Sequence, residues 1–322
     1  MKVLSRILVI KLGAIGEFVL SLPAMSRIRQ AHPRADITLL TTPRFAELAK
    51  SSRYFNHVEP AGEAGGIGSA FALAGWVKRS GFQRVYDLEN SSATRAIFRA
   101  LWPGRPEWSG AAPGASLRHR NPERVHMHVL ERQADQLKAA GIWPDAPVEA
   151  GSAPPPDLSW ILKRAPDSRP VPGQAKPKPF VVLAPGGATK ADQRWPIESY
   201  SELAGALYGR GFDIVIVGGP EESAMARTIQ RTAGRARDLT GRTDFAQLAV
   251  LGARAALGVG NDSGATHLMA ASGAPTIALF SKASDPELSG PRGYVAILRA
   301  ARLKDLPVGQ VTQTALGMAR SS

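Results

Sequence analysis

Residues 258–280 constrain the fold more tightly than any other stretch of the chain. They read Gly-Val-Gly-Asn-Asp-Ser-Gly-Ala-Thr-His, then Leu-Met-Ala-Ala-Ser-Gly-Ala-Pro, then the apolar run Thr276–Phe280. With residues 255–259 as a short strand, Asp262 or Ser263 is placed to cap a helix that reaches Ser272 and stops at Gly273. The spacing predicts strand, tight loop, helix, strand, the repeating unit of a parallel α/β sheet. Gly264 admits a close approach to the backbone, and the unpaired N–H groups at the positive end of the helix suit an anion, phosphate above all. His267 lies one turn after Ser263 on the same face. The same residues also describe a well-capped helix whose histidine simply packs.

The rest of the chain repeats the unit. Ile7–Lys11 reads as a strand followed by a glycine turn, Leu12-Gly13-Ala14-Ile15-Gly16-Glu17, and helical spacing through Arg29. Further strands are expected at 36–41, 55–59 and 84–88, with an edge strand at 106–109, an irregular segment over 110–123 and a helix over 125–140. Ten of the 25 prolines fall between Pro144 and Pro179, where one helix, 157–164, is expected. Such a stretch belongs outside a packed core and divides the chain. The predicted organisation is an N-terminal α/β domain over 1–150, a linker over 151–179, a second α/β domain over 180–300, and a terminal helix within 301–322 that crosses back to the first domain.

Composition removes several functional classes. With 44% hydrophobic and 21% charged residues in 322, the chain can build real cores. The absence of cysteine excludes disulfides and thiolate metal sites, and the six histidines form no ligand-spaced cluster, so no metal and no cofactor are expected. No run approaches the length needed to cross a bilayer, and Lys11 and Glu17 interrupt the N-terminal apolar segment, which favours a strand over a signal peptide. The formal net charge of +13 implies an acidic partner. With no zinc finger, RNA-recognition signature or aromatic-basic repeat in the chain, nucleic acid is not expected. The expected setting is the cytoplasm, with peripheral contact to an anionic membrane face.

In the second half three loops leave strand carboxyl ends and share one rim: 186–196, 218–222 and 260–264. The first offers Thr189, Lys190 and Arg194, the second Glu221 and Glu222, the third helix N–H groups. Cations and N–H groups hold phosphates, and a carboxylate accepts from ribose hydroxyls, so the set suits a nucleoside diphosphate. Taken singly, the cations also read as solvated loop charges and the carboxylates as helix-start residues.

Gly-Asn-Asp-Ser-Gly, Thr-His and the Pro-led strand ending in Leu279-Phe280 closely resemble the C-terminal signature of glycosyltransferase family nine, the ADP-heptose:lipopolysaccharide heptosyltransferases. The resemblance extends over both halves. It implies a GT-B-like fold, two Rossmann-like domains facing each other across a cleft. Thr-Lys through Gln-Arg-Trp-Pro looks like the family's phosphate loop, with Arg194 matching and Gln193 standing where some members carry lysine. By the same comparison Gly187, Thr189, Lys190, Gln193, Arg194, Asp262, Ser263, Gly264 and His267 would bind the donor diphosphate and sugar, and Glu222 its ribose. Residues 11–23 resemble the family's N-terminal motif, a basic strand end followed by Gly-Asp, an apolar stretch and Leu-Pro, but Glu17 stands at the acidic position where aspartate is commoner. The family's aspartate is proposed as the general base. The resemblance thus implies an inverting, metal-independent displacement in which Glu17 takes the proton of the acceptor hydroxyl. An acid in the first turn of a helix also simply favours the helix dipole.

Arg118, Arg120 and Arg124, with His119 between the first two, are the expected acceptor surface, suited to phosphate or carboxylate groups of an anionic glycolipid or glycan. Two rival readings stand beside this one. A nicotinamide-dependent oxidoreductase is suggested by Gly13 and Gly16, but the third glycine is missing, and Asp36 begins the second strand where the ribose-binding acid should follow it. A non-catalytic nucleotide- or carbohydrate-binding protein is the other.

Overall fold

Within Arg6–Lys11 (β1), residues 7–10 are a continuous apolar run because both faces of the strand are covered, as in the middle of a parallel sheet. The computed structural model describes residues 4–61, 67–164, 178–187 and 194–320. By internal packing the chain divides into two units, Met1–Pro154 and Pro155–Ser322.

In the first unit β1 is joined by Asp36–Thr41 (β2), His57–Pro60 (β3), Arg84–Asp87 (β4), Glu107–Gly110 (β5) and Leu117–Arg118 (β6). The strand order is β3-β2-β1-β4-β5-β6, every pair parallel. Ile7 and Val9 register with Ile37 and Leu39. Leu8, Ile10, Val85, Ile97, Phe98 and Trp108 build the core of one face. Each such side chain contributes about 1.5–3 kcal/mol of burial.

The second unit repeats the wiring. Its strands are Phe180–Ala184 (β7), Asp213–Ile216 (β8), Arg237–Asp238 (β9), Leu257–Asn261 (β10), Thr276–Phe280 (β11) and Val295–Arg299 (β12), ordered β12-β11-β10-β7-β8-β9. All are parallel. Each sheet therefore changes direction of winding once, between β1 and β4 and between β7 and β10, and in open α/β sheets the carboxyl ends flanking that point are where ligands bind.

Several expectations shift. The strand at 107–110 is internal, and the segment expected to be irregular supplies the true edge, β6, whose two residues are too short to show an alternating pattern. β9 escapes notice for the same reason. The helix after β1 is two helices, Ile15–Leu20 and Leu22–Ala31, broken at Ser21, whose hydroxyl donates to Glu17 O; Pro23 sits in the first turn of the second, where its missing N–H costs nothing. Only Ile161–Arg164 is helical within 157–164. The terminal helix, Val308–Met318, packs Val311 and Ala315 into the second unit's core beside Trp195, Leu303 and Leu306.

Candidate active site

The carboxyl ends of β7, β8 and β10 carry the three loops that sequence reasoning placed on one rim, and backbone proximity binds them together. Gly187 has φ +97°, and a Cβ there would stand 2.3 Å from Ser263 Cβ. At Gly186 a Cβ would meet Glu222 Oε1 at 2.3 Å. Only glycine lets these loops approach so closely.

Ser263 caps the helix Gly264–Ala271, its hydroxyl accepting from Thr266 N–H at 3.4 Å. Asp262, the alternative cap, instead donates its backbone N–H to Leu279 O. The helix ends as expected: Gly273, at φ +89°, donates to Ala270 O and Ala274 N–H reaches back to Met269 O. The glycines of β10 explain how this helix lies on its own strand, since a Cβ at Gly258 would strike Met269 Sδ at 2.7 Å and one at Gly260 would strike Thr266 Oγ1 at 2.4 Å. The N–H groups of the first turn open the helix beside Gly187.

His267 is buried; its Nε2 stands 3.9 Å from Asp262 Oδ1, and its Nδ1 is buried without a hydrogen-bond partner. Arg194 is half-buried at the end of the first loop. Thr189, Lys190 and Gln193 lie outside the described residues. Glu222 is buried and does the work of a helix-start carboxylate, its Oε2 accepting from Gly219 N–H at 2.6 Å, which leaves Oε1 for any further partner.

Sequence reasoning missed Asn261. Fully buried at the end of β10, it accepts through Oδ1 from Trp195 N–H and Tyr200 Oη, both at 3.1 Å, and donates through Nδ2 to Pro185 O at 2.8 Å. One amide thereby ties the first and third loops to the helix Ile197–Tyr208. Its place within Gly-Asn-Asp-Ser-Gly was the available signal.

In the first unit the carboxyl end of β1 carries Lys11, whose side chain is 3% exposed. Its ammonium lies 2.8 Å from Glu17 Oε2 and 2.8 Å from Glu89 Oε2. Glu17 is 48% exposed, so its remaining oxygen is open to a reactant. Asp36 begins β2 and pairs with His57 at 3.2 Å, on the wrong end of the sheet for a dinucleotide ribose.

The sequence profile of glycosyltransferase family 9 (heptosyltransferase) matches residues 71–304. The chain belongs to glycosyltransferase family 9. Lipopolysaccharide heptosyltransferase 2 of Escherichia coli K12 is 24% identical over 314 residues, 90% of this chain and 86% of that protein. Lipopolysaccharide heptosyltransferase 1 of Salmonella typhimurium is 26% identical over 89% of this chain and 92% of its own. Among solved structures, the family 9 glycosyltransferase of Veillonella parvula superposes with a TM-score of 0.82 at 19% identity, over 99% of this chain and 98% of that one. E. coli heptosyltransferase WaaC with ADP gives 0.78 at 21%, over 98% and 100%. The oxidoreductase and non-catalytic readings give way to a glycosyltransferase of two Rossmann-like units.

For a family 9 enzyme the arginines of the first unit are the remaining question. Arg118 and Arg120 are exposed, whereas Arg124 is half-buried with its Nε lacking a hydrogen-bond partner. Burial, then the charges of Arg132 and Arg95, hold the Arg124 pKa below its usual value against the pull of Asp87. Arg132, on the helix Val129–Ala139, is likewise lowered by burial, with Glu17 opposing. A guanidinium that feels two others and has a buried donor to spare suits an anion. His119, between Arg118 and Arg120, is buried and bonded through Nε2 to Asp135 at 2.7 Å, its pKa lowered by burial. Among the described residues no group of three or more His, Cys, Asp or Glu is arranged to hold a metal ion, and no helix is long and apolar enough to cross a membrane.

Proposed function

We propose that this protein transfers heptose from ADP-heptose to an acidic sugar acceptor of the lipopolysaccharide core, by one in-line displacement with inversion. The observation that carries the reading is the pairing of two halves of a transferase within one family 9 chain. An open helix start lies against Gly187 in the second unit, and a half-exposed carboxylate, Glu17, is held by a buried lysine in the first. The E. coli K12 and S. typhimurium sequence relatives named above are lipopolysaccharide heptosyltransferases, and one solved relative, E. coli heptosyltransferase WaaC, has been captured with ADP-2-deoxy-2-fluoro heptose.

In the proposed step the acceptor hydroxyl oxygen bonds to the anomeric carbon as that carbon's bond to the diphosphate breaks. The electron pair leaves with ADP, and the hydroxyl proton passes to Glu17 through Oε1, the oxygen Lys11 does not hold. Arg194, Lys190, Gly264 N–H and the other amides of the first turn stabilise the departing diphosphate, with Thr189, Gln193, Asp262 and His267 completing the donor contacts. Fixed cations and dipoles then carry the charge that a divalent ion carries in other transferases, so the reaction is metal-independent. Glu222 Oε1 is the proposed ribose acceptor. Arg124 and Arg132 meet acidic groups of the acceptor, with the exposed Arg118 and Arg120 at their rim, and a peripheral seat on an anionic membrane face supplies the glycolipid.

A panel of ADP-, GDP- and UDP-sugars offered with heptose-deficient lipopolysaccharide tests this, read by product mass and by the anomeric configuration of the new bond. The expected result is transfer from ADP-heptose with inverted configuration. Binding of the panel without turnover would support a non-catalytic protein instead.

A further inference from the structure

The first unit holds a second carboxylate that the transfer step does not use. Glu89 follows β4, and its side chain is 13% exposed against 48% for Glu17. Its Oε2 accepts from three donors: Lys11 Nζ at 2.8 Å, Gly13 N–H at 2.9 Å and Leu12 N–H at 3.1 Å. Burial raises its pKa, but the Lys11 charge and these three bonds outweigh burial and keep the carboxyl below its ordinary value. Glu89 is therefore an anion at neutral pH, committed to the turn that follows β1.

Lys11 sits between two carboxylates at equal distance, so their Oε2 atoms are no more than twice that distance apart. Gly13 makes room for the arrangement, because a Cβ there would stand 2.7 Å from Glu17 Oε2 and 3.2 Å from Glu89 Oε2. The Glu89 loop is itself anchored, with Asp87 Oδ1 accepting from Glu89 N–H at 3.2 Å and Asn90 N–H at 2.8 Å. The charges that bear on Glu17 are Lys11 from β1, Arg132 from the helix Val129–Ala139 and Glu89 from the loop after β4.

We infer that Glu89 is a positioning residue for the transfer, clamping the Leu12-Gly13 turn and sharing Lys11, so that the ammonium holds Glu17 in place without being committed to it alone. This rests on the reading of Glu17 as the base. A carboxylate alone with a buried ammonium is a stable anion and a poor base; a second carboxylate on the same ammonium restores its basicity. Neither contact is visible in the sequence, where Glu89 stands 78 residues from Lys11.

The test is the pH profile of the single-turnover transfer rate for the wild-type enzyme and for Glu89→Gln, Glu89→Asp, Lys11→Gln and Glu17→Gln, with ADP affinity measured alongside. Glu89→Gln keeps the shape of the side chain and removes its charge. Its acid limb should move to lower pH by about one unit, with a plateau rate about 3- to 10-fold lower and unchanged ADP affinity. Glu89→Asp should keep the limb near its wild-type place. Lys11→Gln should move the limb to higher pH. A Glu89→Gln enzyme with an unmoved limb and a plateau rate within twofold of wild type overturns the inference, as do Gln and Asp variants equally slowed with unmoved limbs. If Glu17→Gln retains both turnover and the acid limb, the assignment of the base fails. If Glu17→Gln is inactive while Glu89→Gln matches the wild type, only the role of Glu89 fails.

Discussion

Asp87 closes β4 with its carboxyl fully buried, and burial pushes its pKa up from 3.8 to about 6 despite the N–H groups of Asn90 and Glu89 and the Thr94 side chain that it accepts from. In the folded chain this group is easier to protonate than in the unfolded chain, so folding takes up a proton between those two values. The sign follows: its contribution to stability is fully present below about pH 4 and is lost as pH rises through 6, a total of about 3 kcal/mol. Most of that interval is open to experiment, and between pH 4.5 and 8 the swing is about 2 kcal/mol. Asp87→Asn removes the titration. The amide brings a packing and hydrogen-bond change of its own, but that change does not vary with pH and cancels when the difference between variant and wild type is compared at two pH values. Urea unfolding at pH 4.5 and pH 8, with hydrogen exchange of peptides covering residues 84–90 to report on the first unit, should show the variant gaining about 2 kcal/mol on the wild type at the higher pH. A difference that stays constant to within about 0.5 kcal/mol would refute the argument that burial governs this carboxyl.

Three further outcomes are expected. Gly187→Ala forces a side chain onto φ +97° and a methyl to 2.3 Å from Ser263 Cβ, so ADP affinity by calorimetry should fall tenfold or more. Gly211→Ala, at φ +92° with no atom within 4 Å, bears the backbone strain of about 1–2 kcal/mol alone and should keep ADP binding; equal ADP affinity in both variants would contradict the close packing at Gly187. Arg124→Ala should raise the acceptor KM about tenfold or more with the donor KM unchanged, and an acceptor stripped of its acidic groups should be insensitive to it. Turnover should survive excess chelator, whereas loss of all activity restored by magnesium would count against a metal-independent transfer.

The parts of this molecule that could be read in advance are those whose signal is local. Residues 277–280 are apolar throughout because both faces of β11 are covered, and Ser263 and Gly273 mark their helix ends through hydrogen bonds spanning a few residues. A close approach was legible only at Gly264; that Gly186 meets Glu222 and Gly187 meets Ser263 is decided by the fold. Two-residue strands such as β6 and β9 are specified by their neighbours in the sheet. The terminal helix showed an apolar face, but an apolar face does not name the core it enters. Glu89 was illegible for the same reason, and Asn261 offered only its place within Gly-Asn-Asp-Ser-Gly. Glu89 meets the end of β1 because β1 pairs with β4, and Asn261 meets Pro185 because β10 pairs with β7; sheet order is not written in either strand alone.

The proposed chemistry depends on one carboxylate, and Glu17→Gln is the direct way to remove it, since the amide keeps the shape and cannot take a proton. Single-turnover transfer from ADP-heptose should slow by about 10²- to 10⁴-fold while ADP binds as in the wild type. A variant that transfers heptose within about threefold of the wild-type rate would show that the proton goes elsewhere.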